Sequence, residues 1–132
     1  MSEEAAIAAM LEMKTWAVVG LGDNPKRAAY NVSALLIAKG HRVIPVHPLA
    51  KSVHGQEAYA SLADIPFRVD VVDVFVNSSL AGAVADDAVA IGAKGVWFQL
   101  GVIDQTAYER VTNAGLIMVM DHCPAIEYGK RD

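Results

Sequence analysis

Short runs dominated by apolar residues punctuate the chain at Trp16 to Val19, Val43 to Val46, Val69 to Val76, Val96 to Phe98 and Leu116 to Met120. Each is β-rich and bounded by glycine, proline or polar residues, which reads as strand. The segments between them carry apolar residues at helical spacing instead. Ile7, Met10 and Leu11 predict a helix over residues 3–14, with Ser2 as its cap and Glu3 and Glu4 in the first turn. Val32, Leu35 and Leu36 predict a second, closed at Gly40 by a left-handed cap. Val84, Ala88 and Ile91 mark a third; a fourth opens at Asp104, an N-cap, and packs through Ala107, Val111 and Ala114. Helix, glycine and β-rich run recur as Lys39 to Val46, Ile91 to Phe98 and Ala114 to Met120.

Strands alternating with helices at this spacing make βαβ units and a parallel sheet. The expected fold is a three-layer α/β domain over residues 1–132, with a five-stranded parallel sheet in the order 3-2-1-4-5 and helices on both faces. Residues 49–68 fit this least well, offering only a short helical segment near Ser61 to Asp64. Ligands of such sheets bind outside the carboxyl ends of the strands, at the topological switch. The segments expected at that edge are Gly20 to Arg27, His47 to Lys51, Val76 to Ser79, Gln99 to Gly101 and Asp121 to Pro124.

Composition narrows the class. The 132 residues suffice for one domain, and a hydrophobic share of 54% suits strands buried on both faces. No apolar run approaches the ~20 residues of a membrane-spanning helix. The acidic start, Met1-Ser2-Glu3-Glu4, is unlike a secretory signal, and a single cysteine, Cys123, suits a reducing compartment. A cytoplasmic location is expected. A net charge of −4 without a basic stripe argues against nucleic acid as partner.

The first turn, Gly20-Leu21-Gly22-Asp23-Asn24-Pro25, half-matches the dinucleotide fingerprint. Two glycines permit a tight turn and close approach of an anion, Pro25 fits the start of a helix, and Lys26 and Arg27 add positive charge. A nicotinamide site places an acid after the second strand, to hold the ribose hydroxyls. Here stand His47-Pro48-Leu49-Ala50-Lys51. A lysine there suits a phosphate on the adenosine ribose, as in NADP or the 3′-phosphate of coenzyme A, or is simply a solvated loop lysine.

Several strings together carry a resemblance: Asp23-Asn24-Pro25-Lys26-Arg27, Val69 to Phe75, Gly92 to Gln99 and Met120-Asp121-His122-Cys123. They resemble small bacterial CoA-binding proteins, which are similar to the N-terminal domain of the succinyl-CoA synthetase α subunit. The resemblance implies a Rossmann-like fold with coenzyme A across the carboxyl edge. It implies ligand contacts from Gly20, Gly22, Asp23, Asn24, Pro25, Lys26 and Arg27, from His47, Pro48 and Lys51, from Val76, and from Phe98, Gln99 and Leu100. The chain departs from the usual pattern at Val76-Asn77 and His122, where arginine is frequent, and at His47, where asparagine is.

Catalytic and metal chemistry find little footing. His122 and Cys123 leave a strand on opposite sides, and free cysteine is usually buried. Asp70 and Asp73, three apart, face opposite sides of their strand and form no carboxylate pair; Asp73 is expected to tie down neighbouring backbone or the glycine turn. Asp121 reads as structural. His41, His47, His54 and His122 lack zinc-site spacing. The sequence therefore reads as a non-catalytic or regulatory module binding coenzyme A or an acyl-CoA. An NADP-binding oxidoreductase or redox sensor and an interaction protein with an empty nucleotide site are the alternatives.

Overall fold

The computed structural model describes residues 1–131. Helix α1 (Glu3–Leu11) precedes strand β1 (Thr15–Val19), α2 (Ala28–Ala38) and β2 (Arg42–Val46). A small hairpin follows, β3 (Ser52–Val53) and β4 (Gln56–Glu57), then a single 3-10 turn at Leu62–Asp64. The rest alternates regularly: β5 (Val71–Val74), α3 (Ser78–Ala90), β6 (Gly95–Phe98), α4 (Gln105–Asn113), β7 (Ile117–Val119) and α5 (Pro124–Gly129). Both expected caps form: Ser2 Oγ accepts from the Ala5 N–H at 3.1 Å, and Asp104 Oδ1 from that of Ala107 at 3.0 Å.

All neighbours in the five-stranded sheet are parallel, and β1, β5 and β6 are buried along their whole length. Alternation along each strand divides the core. Trp16, Val18, Val71 and Trp97 face α1 and α2, whereas Ala17, Val72, Val74 and Phe98 face α3 and α4. The third helix buries Ala81, Gly82, Ala85 and Ala88, small residues that let it lie close; Val84 and Ile91 are only partly covered.

The expected fold class holds, but the strand order does not. The sheet runs β2-β1-β5-β6-β7, so the five strands stand in the order 2-1-3-4-5 rather than 3-2-1-4-5. Residues 49–68 explain the difference. Tyr59 makes an isolated parallel bridge with Val46, its N–H donating to Pro45 O at 3.0 Å and its carbonyl accepting from His47 N at 2.9 Å. That vestige of a strand occupies the outer edge of β2. The next full strand, β5, pairs with the other side of β1.

The hairpin is pinned to α2. Its turn residues His54 and Gly55 both have positive φ, 53° and 75°, the backbone of a tight two-residue turn. His54 Nε2 meets Ser33 Oγ at 3.0 Å and Tyr30 O at 3.1 Å, and its ring lies 4.2 Å from that of Tyr30. These contacts set Lys51 and Ser52 beside the carboxyl ends of β1 and β2.

Candidate functional site

A cavity of about 960 Å³ opens at the carboxyl edge between the turn after β1, the loop after β2 and the end of β5. Order 2-1-3-4-5 has its topological switch between β1 and β5, where ligands of such sheets bind. The cavity is therefore where the topology puts a site.

Backbone conformation favours glycine at position 20, and close packing of a side chain favours it at position 22. Gly20 has φ +97°, and a Cβ there would stand 3.3 Å from Phe75 Cβ. A Cβ on Gly22 would stand 3.2 Å from both Cδ2 and Nε2 of His47. The chain then makes a turn before α2. Arg27 N donates to Asn24 O at 3.1 Å, Asn24 Oδ1 accepts from Lys26 N at 3.0 Å, and Asn31 Nδ2 donates to Pro25 O and Arg27 O. Pro25 thus occupies a turn position and not the helix start, because Asn24 closes a turn before α2 begins at Ala28. No side chain caps α2 and no acid lies in its first turn. Its amino end, with Ala28 and Ala29 in the cavity wall, is free to face an anion.

Of the residues expected to hold a ligand, Gly20, Gly22, Asp23, Asn24, Arg27, His47, Pro48, Lys51 and Val76 line this cavity together. Pro25 and Lys26 lie on its rim, exposed and outside the wall. Phe98 is wholly buried, so its side chain is core. Gln99 is buried with its Oε1 unpartnered, and Leu100 is exposed; both lie farther along the edge, after β6. Leu49 and Ala50, within the expected edge segment His47 to Lys51, also line the wall, whereas sequence reasoning missed Ala28, Ala29, Ser52 and Phe75. The hairpin turn at His54-Gly55 was the available signal for Ser52. Arg27 and Lys51 bring positive charge, and Asp23 is the one acid in the wall.

The remainder of the edge is braced by hydrogen bonds. Ser78 Oγ accepts from Ile103 N at 2.9 Å, and Asp121, at φ 64°, accepts from Gly101 N at 2.7 Å. Asp121 is thus structural, as expected. His122 turns to Glu3 and Glu127, at 3.0 and 3.3 Å, while Cys123 is buried in the core. Glu127 stays below the usual carboxylate range: burial raises it, but hydrogen bonds from Lys130 and His122 outweigh that effect.

Asp73, in β5, and Asp70, just before it, separate as expected. Asp70 Oδ2 accepts from Thr15 N at 3.0 Å and pairs with Lys94 at 3.4 Å. Asp73, fully buried, does not tie down the glycine turn: neither carboxyl oxygen has a hydrogen-bond partner. It lies level with Val18 and Trp97 on a face whose neighbouring side chains are largely apolar. Burial pushes its carboxyl well above the usual range, outweighing the opposing pull of the Val74 N–H.

Sheet, cavity and uncapped helix define a parallel α/β domain with a cavity at its switch point whose wall carries Arg27 and Lys51. Residues 14–129 match the family described as a CoA binding domain, and the chain belongs to that family. It is 34% identical over 110 residues to "Uncharacterized protein YneT" of Bacillus subtilis, covering 83% of this chain and 82% of that one. It is 32% identical over 81 residues to the alpha subunit of an ADP-forming acetate–CoA ligase of Pyrococcus furiosus. That match takes in 61% of this chain but only 18% of the subunit. Among solved structures, a hypothetical protein of Pyrococcus horikoshii superposes with a TM-score of 0.91 at 34% identity, over 98% of this chain and 92% of that one. A Thermus thermophilus protein gives 0.90 at 32% identity, over 98% of each chain.

Proposed function

We propose that the protein binds coenzyme A, free or acylated, in the cavity at the carboxyl edge, as a binding module that supplies no catalytic group. The observation that carries this reading is the cavity itself, in a chain of the CoA binding domain family. There the glycine turn and the uncapped start of α2 face Arg27 and Lys51. In this reading the diphosphate lies over Gly20 and Gly22, and Lys51 meets the 3′-phosphate of the adenosine. Pro48 and Leu49 form an apolar ledge for the adenine. No acid follows β2 to hold a free ribose diol, which separates the site from a plain NAD site. Among the described residues no helix is long and apolar enough to cross a membrane, consistent with a cytoplasmic module.

Calorimetric titration tests the reading. Coenzyme A binds, acetyl-CoA competes with it, and NADP does not displace it. Absence of heat with coenzyme A at millimolar concentration rejects the proposal, and displacement by NADP returns the site to the nicotinamide alternative. Lys51 is exposed, so its contact with a phosphate is screened and is worth about 1 kcal/mol, roughly five-fold in affinity. Lys51→Ala therefore weakens coenzyme A by that factor and leaves dephospho-CoA unchanged; equal losses would remove Lys51 from the 3′-phosphate.

A further inference from the structure

The loop after β2 holds an imidazole in a fixed posture. His47 Nδ1 accepts hydrogen bonds from two backbone N–H groups, those of Leu49 at 3.1 Å and Ala50 at 3.3 Å. A nitrogen that accepts carries no proton, so the neutral ring carries its proton on Nε2. The backbone N–H of His47 is itself tied to Tyr59 O at 2.9 Å, which fixes where the loop departs from β2. The ring lies against Gly22: a Cβ there would meet Nε2 and Cδ2, each at 3.2 Å. His47 and Gly22 both line the cavity, and among the described residues Nε2 bonds to no protein group. A donor of fixed tautomer therefore stands unpaired over the turn where an anion would come closest to backbone.

We propose that His47 is the side-chain donor to the ligand's diphosphate, with Nε2–H as the donating group. The inference rests on the reading of the cavity as a coenzyme A site and assigns a role within it. The imidazole differs from a loop lysine in what it loses on binding. Two backbone hydrogen bonds and the packing on Gly22 already hold the ring, so little side-chain freedom remains to be frozen. It also reads direction, since one N–H on a fixed ring points one way. The amides at the start of α2 approach the same anion from the other side of the turn.

Calorimetry on His47→Asn and His47→Gln separates the two ring nitrogens. Asparagine puts an amide oxygen near the place of Nδ1 and keeps the loop; glutamine puts an amide nitrogen near the place of Nε2. His47→Asn should weaken coenzyme A and dephospho-CoA equally, by roughly ten-fold, because both carry the diphosphate. His47→Gln should lose less than His47→Asn. Nitrogen NMR of the wild-type imidazole needs no variant: it should show Nε2 protonated, Nδ1 accepting, and the Nε2–H resonance displaced by coenzyme A. A loss confined to coenzyme A would place His47 on the 3′-phosphate and overturn the inference. So would undiminished binding by His47→Asn, or a proton found on Nδ1. If the wild-type protein binds no coenzyme A, the reading of the cavity falls and this inference with it; if only the variants behave otherwise than stated, the inference alone falls.

Discussion

Asp73 shows how one residue can shape the stability of the whole domain without touching the site. Its carboxyl is buried among apolar groups with no hydrogen-bond partner, and burial raises it well above the usual range. The folded protein therefore keeps a proton that the unfolded chain gives up near pH 3.8, the ordinary value for the group. Between that value and the raised one the native state binds more protons, so stability falls as pH rises through the interval. Asp73→Val places a β-branched apolar side chain in a strand interior and removes the unpaired group. It should stabilise the protein at neutral pH by about 1–3 kcal/mol and abolish this part of the pH slope. Urea midpoints across the pH range check both; a destabilised variant with an unchanged slope would contradict them. Gly22 makes the complementary case at the site. An alanine there presses on the His47 ring at 3.2 Å, so Gly22→Ala should weaken coenzyme A by roughly ten-fold while costing less than about 1 kcal/mol of stability. Equilibrium unfolding and calorimetry on the same preparation separate the two effects.

At the scale of elements, the amino edge of the sheet is closed by a clasp that joins α1, β2 and α5. His41, just before β2, faces Met13 O through Nδ1 at 2.7 Å and the Tyr128 hydroxyl through Nε2 at 2.5 Å. That hydroxyl also lies 3.1 Å from Leu11 O at the end of α1. Burial, with Lys14 nearby, lowers the His41 pKa against the pull of its bond to Met13 O. The neutral ring donates from Nδ1 and accepts at Nε2 from Tyr128. Since the folded pKa lies below the unfolded value of 6.5, this stabilisation is complete above that pH and is lost as pH falls through the folded pKa. The sign is opposite to that of Asp73. A wild-type curve alone mixes them; difference curves against Asp73→Val and His41→Phe separate them. His41→Phe should lose the acid-side decline below about pH 6.5. Tyr128→Phe keeps the ring and should cost about 0.5–1.5 kcal/mol, measured by urea unfolding at neutral pH. An unchanged midpoint would mean the clasp contributes nothing.

For the whole molecule, what could be read in the sequence divides along the range of the interactions involved. Helices α1 to α4 and the five sheet strands were legible because each is written in a local apolar pattern, from Trp16 to Val19 through Leu116 to Met120, whereas the short α5 (Pro124–Gly129) was not. The glycine turn was legible because a backbone approach leaves a mark in residue type. Strand order was not, because it depends on Tyr59 reaching back to Val46, a contact with no local signature. The posture of His47 was hidden for the same reason: it is set by Tyr59, Leu49, Ala50 and Gly22 jointly. The corrected order now constrains how a long ligand lies. From β2 to β6 the edge crosses β1 and β5, a distance of about 15 Å at about 4.8 Å per strand. In the proposed binding mode, with the adenosine at Lys51 and the diphosphate at Gly22, the pantetheine arm should leave over Val76 toward Gln99 and Leu100. Hydrogen exchange in the presence of coenzyme A, compared with adenosine 3′,5′-bisphosphate, should resolve this. Both ligands should protect amides within residues 20–29 and 47–53, whereas only coenzyme A should protect residues 99–101. Protection of that last segment by the nucleotide fragment, or by neither ligand, would reverse or displace the arm. Gln99 and Leu100 would then drop out of the site, leaving the cavity at β1 to hold the ligand by its nucleotide end alone.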